Sequence, residues 1–207
     1  MPVEVFDFEQ GSADWYAARL GLPTASRFAD ILAKGEGKMR DRYLRDLAGE
    51  VITGELAESY SNGHMDRGKE QEAAAREHYA FITDVEPRQV GFLRNGRKGC
   101  SPDSLIGQDG GLEIKTALPA IQIERLRLNR LPPEHKAQVQ GNLYVSEREW
   151  WDFTSFCPRL PALIVRVYRD DAYIANLAKH IDAFTEELDA LVDSIRTYEN
   201  FHAAAAA

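Results

Sequence analysis

The chain has 207 residues, a formal net charge of −8 at pH 7 and 44% hydrophobic residues. This length and apolar content predict one domain over residues 1–202, followed by an appended or disordered alanine tail at 203–207. No apolar run approaches the roughly 20 residues of a membrane span and no signal-peptide pattern opens the chain, so we expect no membrane association and a cytoplasmic location. Cys100 and Cys157 show neither disulfide-framework nor zinc-site spacing.

Helices are predicted throughout the first part of the chain. Their ends carry typical signals, such as the capping residues Ser12 and Thr24 or a glycine just past the last turn. The predicted helices cover residues 12–20, 24–34 and 39–52, and a fourth helix, which carries Glu72, follows a polar loop at 59–64.

The second part of the chain alternates strands and helices. Alternating or continuous apolar runs predict strands over residues 90–93, 100–106, 112–116, 150–156 and 162–168. Helical periodicity predicts helices over residues 121–129, 133–145 and 173–198. The order of these elements predicts a mixed α/β fold, with a central mixed β-sheet flanked by helices.

The most informative segment is SPDSLIGQDGGLEIK, residues 101–115. Residues 108–111 contain two glycines and predict a turn between two strands, so the segment forms a hairpin. Side chains two positions apart in a strand share a face, and therefore Glu113 and Lys115 project together while the intervening apolar residues face the core. Asp103 is expected on the neighbouring strand, close to the same face.

Two carboxylates and a lysine are suited to phosphodiester cleavage. Mg²⁺ prefers oxygen ligands and is often bound by one or two carboxylates with substrate phosphate and water. A lysine can orient or deprotonate the attacking water and balance charge on phosphorus. The residues leave open the alternative of an exposed hairpin in which Glu113 and Lys115 form a weak surface pair.

The arrangement resembles the PD-(D/E)XK nuclease motif and is similar to that of the phage lambda exonuclease family, the viral recombination exonucleases. Three further blocks carry the resemblance in the family's order: WYAARLGLPTAS at 15–26, RGKEQEAAAREHYAF at 67–81 and KAQVQGNLYV at 136–145. The resemblance implies a restriction-endonuclease-like core. It also implies a 5′→3′ exonuclease that acts on double-stranded DNA ends, releases mononucleotides and leaves 3′ single strands for recombination.

The same resemblance implies cofactors and partners. It implies Mg²⁺, with Mn²⁺ as an alternative, and two ions in each active site. It implies DNA with 5′-phosphate ends as substrate, a homotrimeric ring around the DNA, and a single-strand annealing recombinase as partner. The source would then be a phage or prophage acting in the cytoplasm of its bacterial host.

Residue roles follow from the matched blocks. The resemblance implies a metal site made by Asp103, Glu113, Glu72 and the Ile114 carbonyl, and a catalytic set completed by Lys115 and Gln138. It implies a pocket for a 5′-phosphate at Arg19, Ser26 and Ser101, contacts with duplex phosphates at Lys38, Arg40 and Arg42, and a wedge between base pairs at Met65. His135 is a weaker candidate, for which a structural or surface role is preferred.

Some features remain open or depart from the family. Without the resemblance, Glu72 and Arg76 are an ordinary helical pair. Ser104 follows Asp103 where relatives often have a glycine, and Leu93 lies where some relatives have a further acid.

Charge is segregated along the chain, with a net −6 over residues 170–200 and +3 over 115–136. The alternative functions are a structure-specific or restriction-type endonuclease on the same core, and a non-catalytic subunit that binds DNA ends.

Overall fold

The computed structural model describes residues 2–33, 37–56 and 63–205, without the side chains of 63–70 and 199–205. The helices are α1 (Ala13–Arg19), α2 (Phe28–Ile31), α3 (Lys38–Thr53), α4 (Gly63–Thr83), α5 (Pro119–Leu128), α6 (Lys136–Ser146) and α7 (Asp171–Ala205). The strands are β1 (Glu4–Phe6), β2 (Phe92–Asn95), β3 (Lys98–Cys100), β4 (Ser104–Ile106), β5 (Gly110–Thr116), β6 (Trp150–Phe156) and β7 (Leu163–Tyr168). Short 3₁₀ turns precede α2 and α6, at Ala25–Arg27 and Pro133–His135.

The strands form two sheets. One is antiparallel with the order β1-β2-β3, and the other is mixed with the order β4-β5-β6-β7. Within the mixed sheet, β5 and β6 are parallel and the other neighbours are antiparallel. Helix α6 packs against both sheets, α4 packs against β5 and β6, and α3 packs against α7. The predicted mixed sheet flanked by helices is confirmed.

The predicted strand over residues 100–106 is wrong in one respect that matters for the site. It is broken into β3, which ends at Cys100, and β4, which begins at Ser104. Pro102 lies in the break, where a strand ladder would need the N–H that proline lacks. The break places Asp103 at the junction between the two sheets. Strand β1, which pairs with β2, was not predicted.

The helix predicted to begin at Thr24 is also shorter than expected. Ser12 caps α1 by accepting a hydrogen bond from the Trp15 amide, but Thr24 makes no such bond. Its hydroxyl lies 3.4 Å from the Ser26 hydroxyl instead. The segment therefore begins as a 3₁₀ turn and continues as α2 only as far as Ile31.

The glycines of the β4–β5 hairpin do not lie where the sequence predicted. The connection spans 107–109 and its first residue, Gly107, has a φ of +51°. Gly110 and Gly111 belong to β5 and pair with β4. A Cβ built on Gly111 would lie 2.3 Å from the Trp151 ring. This glycine is required because a buried tryptophan of β6 packs directly against its backbone.

The two faces of the mixed sheet have different partners. Leu112 and Ile114 point towards α4 and pack with Tyr79. Glu113 points to the opposite face, where Gln138 of α6 contacts it. The alternation predicted for β5 is therefore confirmed, and it separates an apolar face under α4 from a polar face under α6.

The last helix, α7, is longer than the predicted 173–198. It extends through Ala205 and so includes the first three alanines of the tail. Its apolar stripe is buried in the main core, with Leu177, Phe184 and Leu188 at most 1% exposed. Within the described ranges, no helix has the length and apolar content needed to cross a membrane.

We expect Gly111→Ala to destabilise the protein by about 1–3 kcal/mol, because the added methyl group would overlap the buried Trp151 ring. Urea unfolding followed by circular dichroism measures the change. Gly49→Ala is the control, since among the described residues no atom lies within 4 Å of a Cβ built there. In the interior of α3 this control is expected to stabilise by roughly 0.5–1 kcal/mol. Equal stability of Gly111→Ala and the native protein would contradict the packing argument.

Candidate active site

Asp103 is joined to the neighbouring strand through the backbone. Its Oδ2 accepts a hydrogen bond from the Ile114 amide at 2.5 Å. The backbone pairing of β4 with β5 ends at Ser104 and Leu112. The Asp103 carboxylate therefore accepts the Ile114 N–H in place of a backbone carbonyl. The N–H and C=O of one strand residue point to the same side. The Ile114 carbonyl therefore faces the side on which Asp103 lies.

Glu113 is 2% exposed and is surrounded by donors. Lys115 Nζ lies 2.6 Å from its Oε1, and Gln138 Nε2 donates to the same oxygen at 2.6 Å. Asn142 Nδ2 donates to the other oxygen at 3.0 Å. Charged hydrogen bonds of this kind stabilise a buried carboxylate. The structure thus brings together Glu113 and Lys115, as the alternation of β5 predicted, and Gln138, as the resemblance implied.

Asn142 is a member of this cluster that the sequence did not assign. The available signal was its position four residues after Gln138, which puts both amides on one face of α6. Gln140, two residues after Gln138, contacts the end of β7 instead, through Tyr168 O and the Asp170 amide.

Glu72 reaches the site through an arginine on its own helix. Arg76 Nη2 lies 2.5 Å from Glu72 Oε1 and 3.3 Å from the Asp103 carbonyl. Its Nε donates to Ser104 Oγ at 3.0 Å. Ser104 is fully buried, so the hydroxyl that departs from the family pattern has a structural use: it connects the hairpin to α4.

The carboxylates of Asp103, Glu113 and Glu72 bring more negative charge to the site than Lys115 balances. Burial raises the pKa of Asp103 well above its usual value, and the neighbouring carboxylates of Glu113 and Glu72 raise it further. Burial lowers the pKa of Lys115, but the attraction of Glu113 and Asp103 outweighs this effect and the net pKa is raised. Lys115 therefore remains an ammonium beside carboxylates whose mutual repulsion an added cation would relieve.

The donor chemistry fits a divalent cation at two carboxylates. Mg²⁺ commonly uses one or two carboxylates with phosphate and water, and Asp103 and Glu113 supply them. Among the described side chains, no group of three or more acids, histidines or cysteines is arranged to hold a metal ion. Glu72 is bound by Arg76, and its use as a third ligand requires that contact to open.

Arg19 is the centre of a second group of polar side chains. Arg19 Nη1 donates to Ser101 Oγ at 2.8 Å, and its guanidinium lies 4.1 Å from the centre of the Trp15 ring. Burial lowers the pKa of Arg19. With Ser26 and Arg42, Arg19 lines a cavity of about 750 Å³. Guanidinium and hydroxyl donors of this kind suit a phosphate group.

The other predicted DNA contacts are placed differently. Arg40 donates two hydrogen bonds to Glu187 of α7, at 2.7 and 2.8 Å, so its side chain is engaged by an acid of the same chain. Lys38 is the first residue of α3. The side chain of Met65 lies outside the described residues.

His135 lies at the edge of the polar face. Its ring stacks on Phe153 with 5.0 Å between centroids, and its Nε2 is 3.0 Å from Arg125 Nη2. Burial lowers the pKa of His135 to about 4, with help from the positive charges of Lys115 and Arg125. The imidazole is therefore neutral at physiological pH.

The family model of the YqaJ-like viral recombinase domain matches residues 14–149. The chain belongs to the YqaJ-like viral recombinase family. The matched region runs from α1 to the start of β6 and includes the carboxylate cluster and Arg19. No curated protein is significantly similar to the chain in sequence.

Solved structures extend the likeness to nearly the whole chain. The complex of LHK-Exo with dAMP is 35% identical, with a TM-score of 0.83, and the match covers 95% of this chain and 100% of that one. The alkaline exonuclease LHK-Exo from Laribacter hongkongensis is 34% identical, with a TM-score of 0.82 and the same coverage. A phage-related exonuclease from Haemophilus somnus 129PT, 14% identical, shares the fold, with a TM-score of 0.64 over 84% of this chain and 96% of its own. The PD-(D/E)XK-like fold is confirmed.

We expect Asp103→Asn to raise the stability of the metal-free protein at neutral pH by on the order of 1 kcal/mol. Because the pKa of Asp103 is raised in the folded state, the ionised carboxyl destabilises the fold at neutral pH. This cost is removed as the pH falls towards the pKa of the unfolded chain. The asparagine removes the charge and keeps an acceptor for the Ile114 amide.

Thermal unfolding in EDTA measures this effect. Asp109→Asn, in the exposed turn of the same hairpin, is the matched control and is expected to change stability by less than about 0.5 kcal/mol. A loss of stability in Asp103→Asn would mean that the charge is not a burden in the folded protein.

Proposed function

We propose that this protein is a metal-dependent exonuclease that digests double-stranded DNA from the 5′ end. The observation that carries the proposal is the cluster of Asp103, Glu113 and Lys115 on the β4–β5 hairpin. The Arg19–Ser101 pocket beside it supports the choice of a DNA end as substrate. Family membership and 34–35% identity to LHK-Exo, an alkaline exonuclease, support the same activity.

The protein's own groups divide the chemical work. A divalent cation held by Asp103, Glu113 and the Ile114 carbonyl would supply Lewis-acid activation and charge neutralisation at the phosphate. Lys115 lies beside Glu113, and we assign it to orienting the attacking water and stabilising negative charge on phosphorus. Gln138 orients Glu113 from α6.

Recognition of the end is assigned to Arg19 and the hydroxyl groups near it. Arg19, Ser26 and Ser101 are proposed to bind the 5′-phosphate. Ser101 precedes Asp103 by two residues, so a phosphate held there lies close to the bond that is cut. A short distance between the bound 5′-phosphate and the bond that is cut favours release of mononucleotides. One LHK-Exo structure contains dAMP, a nucleoside monophosphate, which is the type of product that this reaction releases.

The wider biological setting is also part of the proposal. We assign Mg²⁺ as the cofactor, with Mn²⁺ able to replace it, and a second ion that requires Glu72 to leave Arg76. Lys38, Arg40 and Arg42 would contact duplex phosphates, and Met65 would separate base pairs. Arg40 must exchange Glu187 for phosphate to do so.

We further propose a homotrimeric ring and a single-strand annealing recombinase as partner, in the cytoplasm of a bacterial host. The 3′ single strand left by digestion is the substrate that such a partner requires. Exposed apolar side chains on and before α5, including Leu118 at 68% exposed and Ile121 at 42%, support a protein interface on this surface.

The first test compares linear and covalently closed plasmid. In Mg²⁺ the native protein is expected to release nucleotides from linear DNA alone, and EDTA is expected to stop it. Asp103→Ala should lower the rate by on the order of 10³-fold, while Asp109→Asn should not. Cutting of the closed circle would indicate an endonuclease. Binding of ends without nucleotide release would indicate a non-catalytic subunit.

The second test concerns the end that is recognised. The native protein is expected to prefer 5′-phosphate over 5′-hydroxyl ends, and Arg19→Gln should reduce that preference about 10–100-fold, because charge-assisted hydrogen bonds are lost. Arg45→Gln, an exposed arginine of α3, is the control. Substrates labelled at either terminus report the polarity. Early release of the 3′ label would show that the assigned direction is wrong.

A further inference from the structure

Arg125 of α5 is a nearly buried arginine with weak partners. Its side chain is 12% exposed, and Nη1 donates to Ser155 Oγ at 3.1 Å. Nη2 lies 3.0 Å from His135 Nε2, which accepts the bond because a guanidinium can only donate. The carboxylate of Glu134 lies 3.8 Å from Arg125 Nη2, and its side chain is 62% exposed. Water strongly screens an ion pair with so exposed a partner.

The guanidinium keeps donors that the described part of the protein does not use. Its buried Nε has no hydrogen-bond partner among the described residues. A guanidinium carries five N–H donors, and the two bonds above use two of them. A buried positive charge with unused donors is costly unless an anion completes it.

Arg125 lies on the same face of the sheet as the carboxylate cluster. Ser155 is the partner of Lys115 in the parallel pairing of β5 and β6, so the two side chains project from the same face. Phe153 is the partner of Glu113 in the same register and supports the His135 ring. Along the strands, Arg125 therefore lies at the level of Lys115, and His135 lies at the level of Glu113.

The attachment of α5 to the sheet does not require this arginine. Gln122 of the same helix is fully buried. It donates to the carbonyls of Ser155 and Pro161 at 3.0 and 2.7 Å, and its Oε1 accepts from Ser155 Oγ at 2.6 Å. The neutral amide already connects α5 to β6, so this attachment does not depend on the charge of Arg125.

We propose that Arg125 binds an internucleotide phosphate of the DNA strand that is cut, next to the scissile phosphate and on the Lys115 side of the carboxylates. This inference rests on the proposed nuclease function. The guanidinium offers the phosphate oxygens those N–H groups of Nη1 and Nη2 that Ser155 and His135 do not use. His135 is a positioning residue, because its neutral nitrogen fixes the orientation of the guanidinium without competing for the anion.

The test compares Arg125→Gln with Arg127→Gln, an exposed arginine two residues along the same helix. Digestion of a 5′-phosphorylated duplex is measured over a range of salt concentrations. Arg125→Gln is expected to raise KM about tenfold and to reduce the slope of log affinity against log salt by about one. An equal change of KM and salt slope in Arg127→Gln would mean that Arg125 contributes only general electrostatic attraction, and it would overturn the proposal.

Two further variants examine the geometry. Arg125→Lys keeps the charge without the planar fork, and it is expected to preserve the salt slope while KM remains several-fold raised. His135→Phe keeps a ring on Phe153 and removes the acceptor, so it should raise KM in the same direction with little change in kcat. Thermal unfolding of each variant shows that the fold is retained. A native KM in both variants would contradict the inference.

The proposed function and the Arg125 site are tested by different measurements. DNA binding is measured with the Asp103→Asn protein in EDTA, which separates binding from cleavage. If this protein does not bind DNA and the native protein does not digest it, the proposed function is wrong. If it digests DNA and Arg125→Gln has native KM and salt slope, the proposed function stands and the Arg125 site alone is wrong.

Discussion

The central constraint in this structure is the close approach of two carboxylates, Asp103 and Glu113, in a site with limited access to water. Their repulsion and burial are opposed by the Ile114 amide, by Lys115 and by two amide side chains of α6. The elements around the site supply donors and positive charge because ionised carboxylates are costly to bury without them. The same requirement makes the site receptive to a divalent cation.

The position of α4 depends on two polar contacts with the sheet. Near the site, Arg76 joins Glu72 to Ser104. About one turn after Arg76, Tyr79 donates to the buried carboxylate of Asp152 at 2.6 Å. Arg166 contacts the same carboxylate. Together these contacts fix the position of α4 along and around its own axis. Glu72 therefore stays beside Asp103, although α4 packs on the face of the sheet opposite to Glu113.

The acidic net charge lies mainly away from the candidate site. Glu187 of α7 binds Arg40 and Asp189 binds Arg97, whereas Arg19 contacts Ser101 and Arg125 contacts Ser155. Total charge is therefore a poor guide to the ligand of this protein, since the local arrangement of charge governs what binds. The helix that makes the sequence acidic contributes mostly an outer surface and a buried apolar stripe.

Local patterns in the sequence determined much of the fold and part of the site. The two-residue period of β5 predicted that Glu113 and Lys115 share a face, and the helical periodicity located α3, α6 and α7. Packing between distant segments decided the rest: the tryptophan against Gly111, the partners of Asn142, and the burial of Arg125 beside Lys115. Such contacts join residues that lie far apart in the chain, and short-range periodicity carries no information about which surfaces meet.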